Sequence, residues 1–289
     1  MKLKVYTVNA FAKSPNGGNP AGVVMNADTL SENDMKKISK IIGFSETAFV
    51  MKSNCADFKV RFFTPNSEVD LCGHATIGTY HTLLSEGYIK PGNYSQETKA
   101  GILNISINKD TLIMMNQTIP NFYHIIPKEE IADSLNLTLN EIEETLPVQI
   151  VSTGLKDILV PIKNMKILDS MKPNFKKIEQ ISRKYNVIGY HAFTLETLYG
   201  SNAHCRNFAP LYDIPEESAT GTSSGALGCY LYKYGKISLN QCQNIIFEQG
   251  YSMKKPSEII ALLNIKNNKI VEVKVGGKAL NLASRDLEI

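Results

Sequence analysis

The sequence repeats itself after about half of its 289 residues. The motif Arg61-Phe-Phe-Thr-Pro65 recurs 145 residues later as Arg206-Asn-Phe-Ala-Pro210. The acidic residues that follow, Glu68 and Asp213, keep the same offset. Self-similarity at a fixed period is typical of a chain built from equivalent structural units. The duplication therefore restricts the fold to two similar halves.

The glycines downstream extend the repeat with an offset of 148 residues. Gly73 then aligns with Gly221, and Gly87 aligns with Gly235. The change of offset implies three additional residues in the second half, after Asp213. A chance match of one short motif would not extend to these glycines, so we interpret the repeat as a true duplication.

Both halves predict the same succession of elements. The motif Ser31-Glu-Asn-Asp34 is typical of a helix start, and Gly43 is typical of a helix end. Alternating apolar and polar residues predict strands. The predicted helices span residues 31–42, 73–85, 174–185 and 223–234, and the predicted strands span 47–50, 57–64, 158–162, 191–195 and 205–209. One main buried helix among many short strands in each half indicates an α+β fold.

The joint between the halves is predicted near residues 118–127, where prolines punctuate the sequence. We expect an N-terminal lobe at residues 1–120 and a C-terminal lobe at residues 121–277. Residues 278–289 form a last strand that could rejoin the N-terminal lobe.

Charge and composition exclude several classes of partner. Lys and Arg total 31 against 28 for Asp and Glu, and this balance gives no basic footprint for nucleic acid. No apolar run approaches the roughly 20 residues that cross a bilayer, and the first residues alternate like a strand. Five cysteines without a Cys-x-x-Cys pair favour reduced thiols. We expect a cytoplasmic protein that binds a small molecule.

Each half places a loop rich in small and hydroxyl residues directly before a helix. The loops are Asp70-Leu-Cys-Gly-His-Ala-Thr76 and Glu217-Ser-Ala-Thr-Gly-Thr-Ser-Ser224. Backbone N–H groups at a helix start, with the positive end of the dipole behind them, bind anions such as carboxylates. Two such loops would bind a small acid from both sides. The alternative is simple capping of each helix by its own hydroxyl side chains.

Glu46 is the candidate acid/base residue. It stands among Phe44, Ala48 and Phe49, which would partly desolvate its carboxyl group and suit it for proton transfer. The alternative is an ordinary glutamate of a surface loop. His74 is the one histidine within a candidate loop, and the pair Cys72-Gly-His74 lacks further partners for a metal site.

These residues together resemble the phenazine-biosynthesis PhzF-like isomerase family. The resemblance covers nearly the whole chain, in order, and the string from Glu68 to Thr76 is highly specific. The motifs are Gly18-Asn-Pro-Ala21, Ser45-Glu-Thr-Ala-Phe49, Arg61-Phe-Phe-Thr-Pro65, Glu68-Val-Asp-Leu-Cys-Gly-His-Ala-Thr76, Arg206-x-Phe-Ala-Pro210, Ala219-Thr-Gly-Thr222 and Glu248-Gln-Gly250.

The resemblance implies a diaminopimelate-epimerase-like fold of two pseudo-symmetric lobes, each a curled β-sheet around a central helix, with the active site between them. It implies a homodimer and no cofactor. It also implies that Glu46 shuttles a proton on a cyclic, carboxylate-bearing substrate and that His74 assists. The expected substrate-binding residues are Asn19, Gly73, Gly221 and Thr222, and no metal ligands are expected.

The second loop departs from the family pattern. The family usually has Asp-Pro-Ala-Thr-Gly-Ser where this chain has Glu217-Ser-Ala-Thr-Gly-Thr222. The acid is one methylene longer, and a shift of about an ångström matters for catalytic geometry. Glu217 is therefore kept as a third candidate catalytic residue. The resemblance is taken to imply an isomerase-type site but not the phenazine-pathway substrate.

Two alternatives to a proton-shuttling isomerase stay open at this point. A two-thiol racemase or epimerase needs a cysteine on each loop, but the position equivalent to Cys72 is Thr220, whose hydroxyl is a far weaker base. A binding protein that keeps the loops without the chemistry is the other alternative, which the altered second loop motivates.

Overall fold

Alternating and periodic apolar residues form 18 strands and six α-helices within residues 2–289, the part of the chain that the computed structural model describes. The strands are β1 (Lys2–Ala10), β2 (Asn19–Val24), β3 (Thr47–Met51), β4 (Phe58–Phe63), β5 (Glu68–Val69), β6 (Gly92–Thr98), β7 (Gly101–Ile107), β8 (Ile113–Gln117), β9 (Asn121–Ile125), β10 (Gln149–Ser152), β11 (Lys156–Pro161), β12 (Gly189–Thr194), β13 (Ala203–Ala209), β14 (Ile214–Glu217), β15 (Ile245–Gln249), β16 (Ser257–Lys266), β17 (Lys269–Gly277) and β18 (Ala279–Glu288).

The helices are α1 (Glu32–Ile42), α2 (Gly73–Ser85), α3 (Lys128–Ser134), α4 (Met165–Ser170), α5 (Phe175–Tyr185) and α6 (Gly221–Lys233). None of the described helices is long and apolar enough to cross a membrane. The mixture of strands with few helices confirms the α+β prediction.

Contacts along the chain define two units. Unit 1 comprises Met1–Asn116 and Gly276–Ile289, and unit 2 comprises Gln117–Val275. The last strand belongs to unit 1 because β18 pairs antiparallel with β1 along most of its length.

In unit 1 the strands pair in a fixed succession. β1 and β2 are antiparallel, β2 and β3 are parallel across α1, and β3 and β4 are antiparallel. β4 and β6 are then parallel across α2, and β6, β7 and β8 continue antiparallel. Parallel neighbours need a crossover, which the two helices supply.

Unit 2 repeats this succession. β10 and β11 are antiparallel, β11 and β12 are parallel across α4 and α5, and β12 and β13 are antiparallel. β13 and β15 are parallel across α6, and β15 and β16 are antiparallel. The same order of pairings in both units confirms the duplication that the sequence motifs predict.

Each unit has one central helix of 13 residues. α2 packs against β1, β2, β3 and β18, and α6 packs against β10, β11 and β16. Most residues of both helices are buried, unlike the amphipathic helices α1 and α5, which bury one face. Gly78 lies on α2 where a neighbouring side chain approaches closely, since a Cβ there would lie 2.8 Å from Val8 Cγ1.

Local sequence signals mark both ends of α1. Ser31 accepts a hydrogen bond from the Asp34 backbone N–H, Asp34 reciprocates, and Gly43 ends α1 in the left-handed conformation with φ 75°. The predicted start of the last helix at residue 223 was wrong, since α6 begins at Gly221. The serines at 223 and 224 suggested a cap, but both lie buried inside the first turn.

The acidic partner in the repeat also requires a correction. Arg61 binds Glu68 through two hydrogen bonds of 2.8 and 2.9 Å, and Arg206 binds Glu216 through two of 2.8 Å. Glu216, with offset 148, is therefore the equivalent of Glu68, and Asp213 is not. Asp213 instead ends a short 3-10 helix at φ 60°, and this helix holds the additional residues of the second half.

Candidate active site

Glu46 lies at the entry of β3 in unit 1. Its carbonyl oxygen accepts a hydrogen bond of 3.2 Å from the Gly22 backbone N–H, which fixes the residue against the neighbouring parallel strand β2. Its side chain is 12% exposed. This low exposure and the buried Oε2 atom show that the carboxyl group faces inward.

His74 is the second residue of α2 and is 4% exposed. Its Nε2 lies 3.3 Å from Glu46 Oε2 and 3.5 Å from the Ser45 hydroxyl. Glu46 Oε2 has no hydrogen-bond partner among residues 2–289, although His74 Nε2 lies 3.3 Å away. A buried carboxylate oxygen without a hydrogen bond is costly, which is typical of a group that awaits a ligand. The pair can exchange a proton with a bound molecule.

Cys72 completes a cluster around His74. Its Sγ lies 3.4 Å from His74 Nδ1, and one ligand atom from each of Glu46, Cys72 and His74 falls within 4.8 Å of the others. The expectation that Cys72 and His74 lack a further metal-ligand partner was therefore wrong. Glu46 precedes Cys72 by 26 residues and His74 by 28, and only the packing of α2 against β3 brings it close. Thiolate, imidazole and carboxylate are the ligand types that Zn²⁺ accepts.

The two loops begin their helices without a side-chain cap. Cys72 and Thr220 are the N-cap residues of α2 and α6, both extended, and neither side chain accepts a hydrogen bond from its helix. The alternative of simple capping is therefore not realised within these helices. Gly73 and Gly221 are the first helical residues, as the offset of 148 predicts. A Cβ on Gly73 would lie 2.8 Å from Met115 Cε.

Asn19 is the first residue of β2 and is 5% exposed. The preceding turn requires a glycine, because Gly18 has φ +87° and a Cβ there would lie 2.7 Å from the Ala10 carbonyl oxygen. β2 runs parallel to β3, and Asn19 therefore starts at the same end of the sheet as Glu46.

The remaining predicted residues lie in unit 2. Glu217 ends β14, and its Oε2 accepts a hydrogen bond of 2.5 Å from the Thr220 hydroxyl. Thr222 is the second residue of α6, and its carbonyl oxygen accepts a hydrogen bond from Thr153. Glu217, Gly221 and Thr222 thus share one loop and helix start, as Glu46, His74 and Gly73 share one corner of unit 1.

The other histidines have structural surroundings. His191 is fully buried, where its Nδ1 faces the Asn207 amide at 3.1 Å and burial lowers its pKa to about 3. His204 Nδ1 lies 2.8 Å from Glu248 Oε2, and both residues are buried. His81 and His124 lie outside the cluster of Glu46, so His74 is the histidine that the structure brings to the candidate site.

Ser223 of α6 belongs to a buried polar network that the sequence did not predict. The Ser223 hydroxyl donates to Asp157 Oδ2 at 2.6 Å and accepts from the Asn207 amide at 3.2 Å. Burial raises the pKa of the Asp157 carboxyl to about 7, although the Ser223 hydrogen bond opposes the shift. No local pattern marked Asp157, because it follows Lys156 at the start of β11 and reads as one of two charged residues at a strand end.

This network predicts a pH dependence of stability. An unfolded aspartate releases its proton near pH 3.8, whereas folded Asp157 keeps it up to about pH 7, so its stabilising contribution is lost as pH rises between these values. The variant Asp157→Asn stays neutral. We expect its unfolding free energy, relative to wild type, to rise by a few kcal/mol between pH 4 and 7 and to level off above. Urea unfolding followed by circular dichroism measures this, and a pH-independent difference would contradict it.

Known proteins resemble this chain along its whole length. The family model described as phenazine biosynthesis-like protein, PhzC-PhzF, matches residues 8–285. The uncharacterized isomerase YfhB of Bacillus subtilis is 35% identical over 295 residues, which cover 100% of this chain and 99% of YfhB. The crystal structure of the Bacillus anthracis phenazine biosynthesis protein, PhzF family, superposes with a TM-score of 0.91 at 33% identity and covers all of both chains.

A more distant relative has a named reaction. The trans-2,3-dihydro-3-hydroxyanthranilate isomerase of Pseudomonas chlororaphis is 26% identical over 280 residues, which cover 94% of this chain and 95% of that protein. The family match, the isomerase relatives and the shared fold agree with the resemblance that the motifs gave. The chain belongs to the phenazine biosynthesis-like protein family and is a PhzF-like isomerase.

Proposed function

We propose that this isomerase moves a proton on a small, cyclic, carboxylate-bearing metabolite, with Glu46 as the general acid/base and without a cofactor. The observation that carries the proposal is the buried pair of Glu46 and His74, whose Oε2 and Nε2 atoms lie 3.3 Å apart. A carboxyl group in hydrogen-bond reach of an imidazole is a common arrangement for proton transfer.

The reaction needs no change of oxidation state. Glu46 takes a proton from a carbon next to a conjugated system, and the C–H electron pair moves into that system. Glu46 then returns the proton to another carbon, which restores the charges of enzyme and substrate. His74 donates a hydrogen bond to the substrate atom that gains negative charge.

The class of substrate is proposed from the chemistry of the helix starts and from a relative. Backbone N–H groups at a helix start suit a carboxylate, so Gly73 in unit 1 and Gly221 and Thr222 in unit 2 are each proposed as substrate-binding residues, as is Asn19. The Pseudomonas chlororaphis relative acts, by its name, on a cyclic hydroxyanthranilate. Glu217 as a catalytic partner stays a prediction, and the loss of substrate affinity in Thr222→Val tests the role of Thr222.

Proton exchange in heavy water tests the proposed function. The protein is incubated with small carboxylates that include trans-2,3-dihydro-3-hydroxyanthranilate and proline, and carbon-bound deuterium is followed by NMR. Enzyme-dependent deuterium on a cyclic diene acid supports the proposal. Exchange at the α-carbon of an amino acid would instead support an epimerase, and tight binding without any exchange would support a binding protein.

Metal ions provide a separate prediction. We expect prolonged treatment with EDTA to leave turnover unchanged, because the proposed steps use side chains alone. We expect Zn²⁺ to inhibit, since Glu46, Cys72 and His74 offer three ligands within 4.8 Å. Cys72→Ser should need at least about ten times more Zn²⁺ for half-inhibition, because hydroxyl oxygen is a poorer zinc ligand than thiolate. Activity that EDTA abolishes and Zn²⁺ restores would overturn the cofactor-independent reaction.

Assembly and location are proposals as well. We propose that the protein is a homodimer. We also propose that it is located in the cytoplasm, because the cysteines within residues 2–289 are free thiols. Light scattering coupled to size-exclusion chromatography distinguishes a dimer from the 32.1 kDa monomer.

A further inference from the structure

The amide of Gln249 lies against the loop that carries Glu217. Gln249 ends β15 and is fully buried. Its Nε2 donates to the Glu217 carbonyl oxygen at 2.8 Å and to the Thr220 hydroxyl at 3.1 Å, and its Oε1 accepts from the Thr220 backbone N–H at 3.1 Å. One side chain therefore binds both ends of the four-residue loop that leads into α6.

The hydrogen bonds of this loop have a defined direction. The Thr220 hydroxyl has one proton, and it accepts a hydrogen bond from Gln249 Nε2, which can only donate. Its own proton is thus directed to Glu217 Oε2, 2.5 Å away. Oε2 is therefore the acceptor of this hydrogen bond. The relay runs from amide to hydroxyl to carboxylate, and it favours the charged form of Glu217.

The residues beside Gln249 hold the amide in place. Glu248 accepts hydrogen bonds of 2.9 and 2.8 Å from the backbone N–H groups of Leu198 and Tyr199. Gly250 has φ +82°, and a Cβ there would lie 2.6 Å from the Ser218 carbonyl oxygen, so the loop backbone packs directly on this glycine. A relay on such fixed backbone positions has little freedom to reorient.

We propose that Gln249 and Thr220 are positioning residues that orient the Glu217 carboxylate and keep it unprotonated for the isomerase reaction. The inference rests on the proposed function and adds a role for Glu217 as a charged acceptor rather than a proton donor. It also accounts for the extra methylene of Glu217 relative to the aspartate usual in the family. That methylene adds a rotatable bond, and the Thr220 hydroxyl fixes the group that it carries.

Matched variants of Thr220 test the relay. Thr220→Val keeps the shape and removes the hydroxyl, whereas Thr220→Ser keeps the hydroxyl. We expect Thr220→Val to lower kcat about 10- to 100-fold with little change in KM, and Thr220→Ser to restore most of it. The acidic limb of the pH–rate profile should move to higher pH in Thr220→Val alone. Gln249→Met, which retains the length and removes all three hydrogen bonds, should show the same loss of kcat.

Crystal structures of wild type and both variants give a second readout that does not depend on turnover. The Glu217 carboxylate should leave its position in Thr220→Val and keep it in Thr220→Ser. An unmoved carboxylate in Thr220→Val, or unchanged kcat in an active enzyme, would overturn the relay while the proposed function stands. An inactive wild type with the expected carboxylate shift would overturn the proposed function and leave the positioning of Glu217 supported.

Discussion

Replacing Glu46 by glutamine is expected to reduce carbon–deuterium exchange by about 100- to 10 000-fold, the range that general acid/base groups contribute. Glutamine keeps the length and polarity of the side chain and cannot carry the proton. The fold should persist, because Glu46 is held by its backbone hydrogen bond with Gly22 and its Oε2 makes no hydrogen bond within residues 2–289. NMR in heavy water measures the exchange, and circular dichroism verifies folding.

The matched control is Glu32→Gln in the same unit. Glu32 is half-exposed in surface ion pairs with Lys36 and, at 3.4 Å, with Arg61, so its loss should leave exchange within about twofold of wild type and cost little stability. His74→Gln should reduce exchange by a smaller factor than Glu46→Gln, since His74 is proposed to assist rather than to carry the proton. Wild-type exchange in Glu46→Gln would remove Glu46 from the mechanism.

Replacing Gly189 by alanine is expected to lower the free energy of unfolding by about 3 kcal/mol or more, at the upper end of overpacking effects. The added Cβ would lie 1.9 Å from the Phe208 carbonyl oxygen. That oxygen belongs to β13, which pairs with β12 in antiparallel register, so it cannot move without disturbing the sheet. Urea unfolding followed by circular dichroism is the suitable measurement, since the chain has no tryptophan.

Gly228→Ala is the control, for which we expect the free energy of unfolding to increase. Gly228 lies in the middle of α6, where the nearest atom to an added Cβ is Ile245 Cδ1 at an ordinary 3.4 Å. Alanine should stabilise the helix by about 0.5–1 kcal/mol. If Gly189→Ala were as stable as wild type, the tight contact between β12 and β13 would be wrong.

Gly189 occupies, in unit 2, the position equivalent to the proposed acid/base residue Glu46. Thr47 pairs with Phe63, and Tyr190 pairs with Phe208, its equivalent 145 residues later. Glu46 and Gly189 precede these residues and are therefore equivalent by register. No side chain fits at Gly189, so unit 2 cannot present a second glutamate there.

The sequence alone determined the features that depend on local spacing. The period of alternating residues located β3, β4, β11, β12 and β13, the capping box at Ser31 located α1, and Gly73 located the start of α2. These patterns are readable because strands and helices impose periods of about two and 3.6 residues on whichever chain forms them. Glu46 was a candidate on similar grounds, from its apolar neighbours.

Only the tertiary structure decided which side chains meet. The packing of α2 against β3 brings Glu46 to His74 and Cys72 across 26 residues or more of sequence. The register of β13 with β14 gives Arg206 the partner Glu216 instead of Asp213, and the end of β15 brings Gln249 to Thr220. Such meetings depend on strand pairing between distant segments, and a shift of one residue would turn each side chain to the opposite face of its sheet. Sequence periodicity fixes a residue's face within its own element, whereas the neighbour on that face is fixed by pairing and packing.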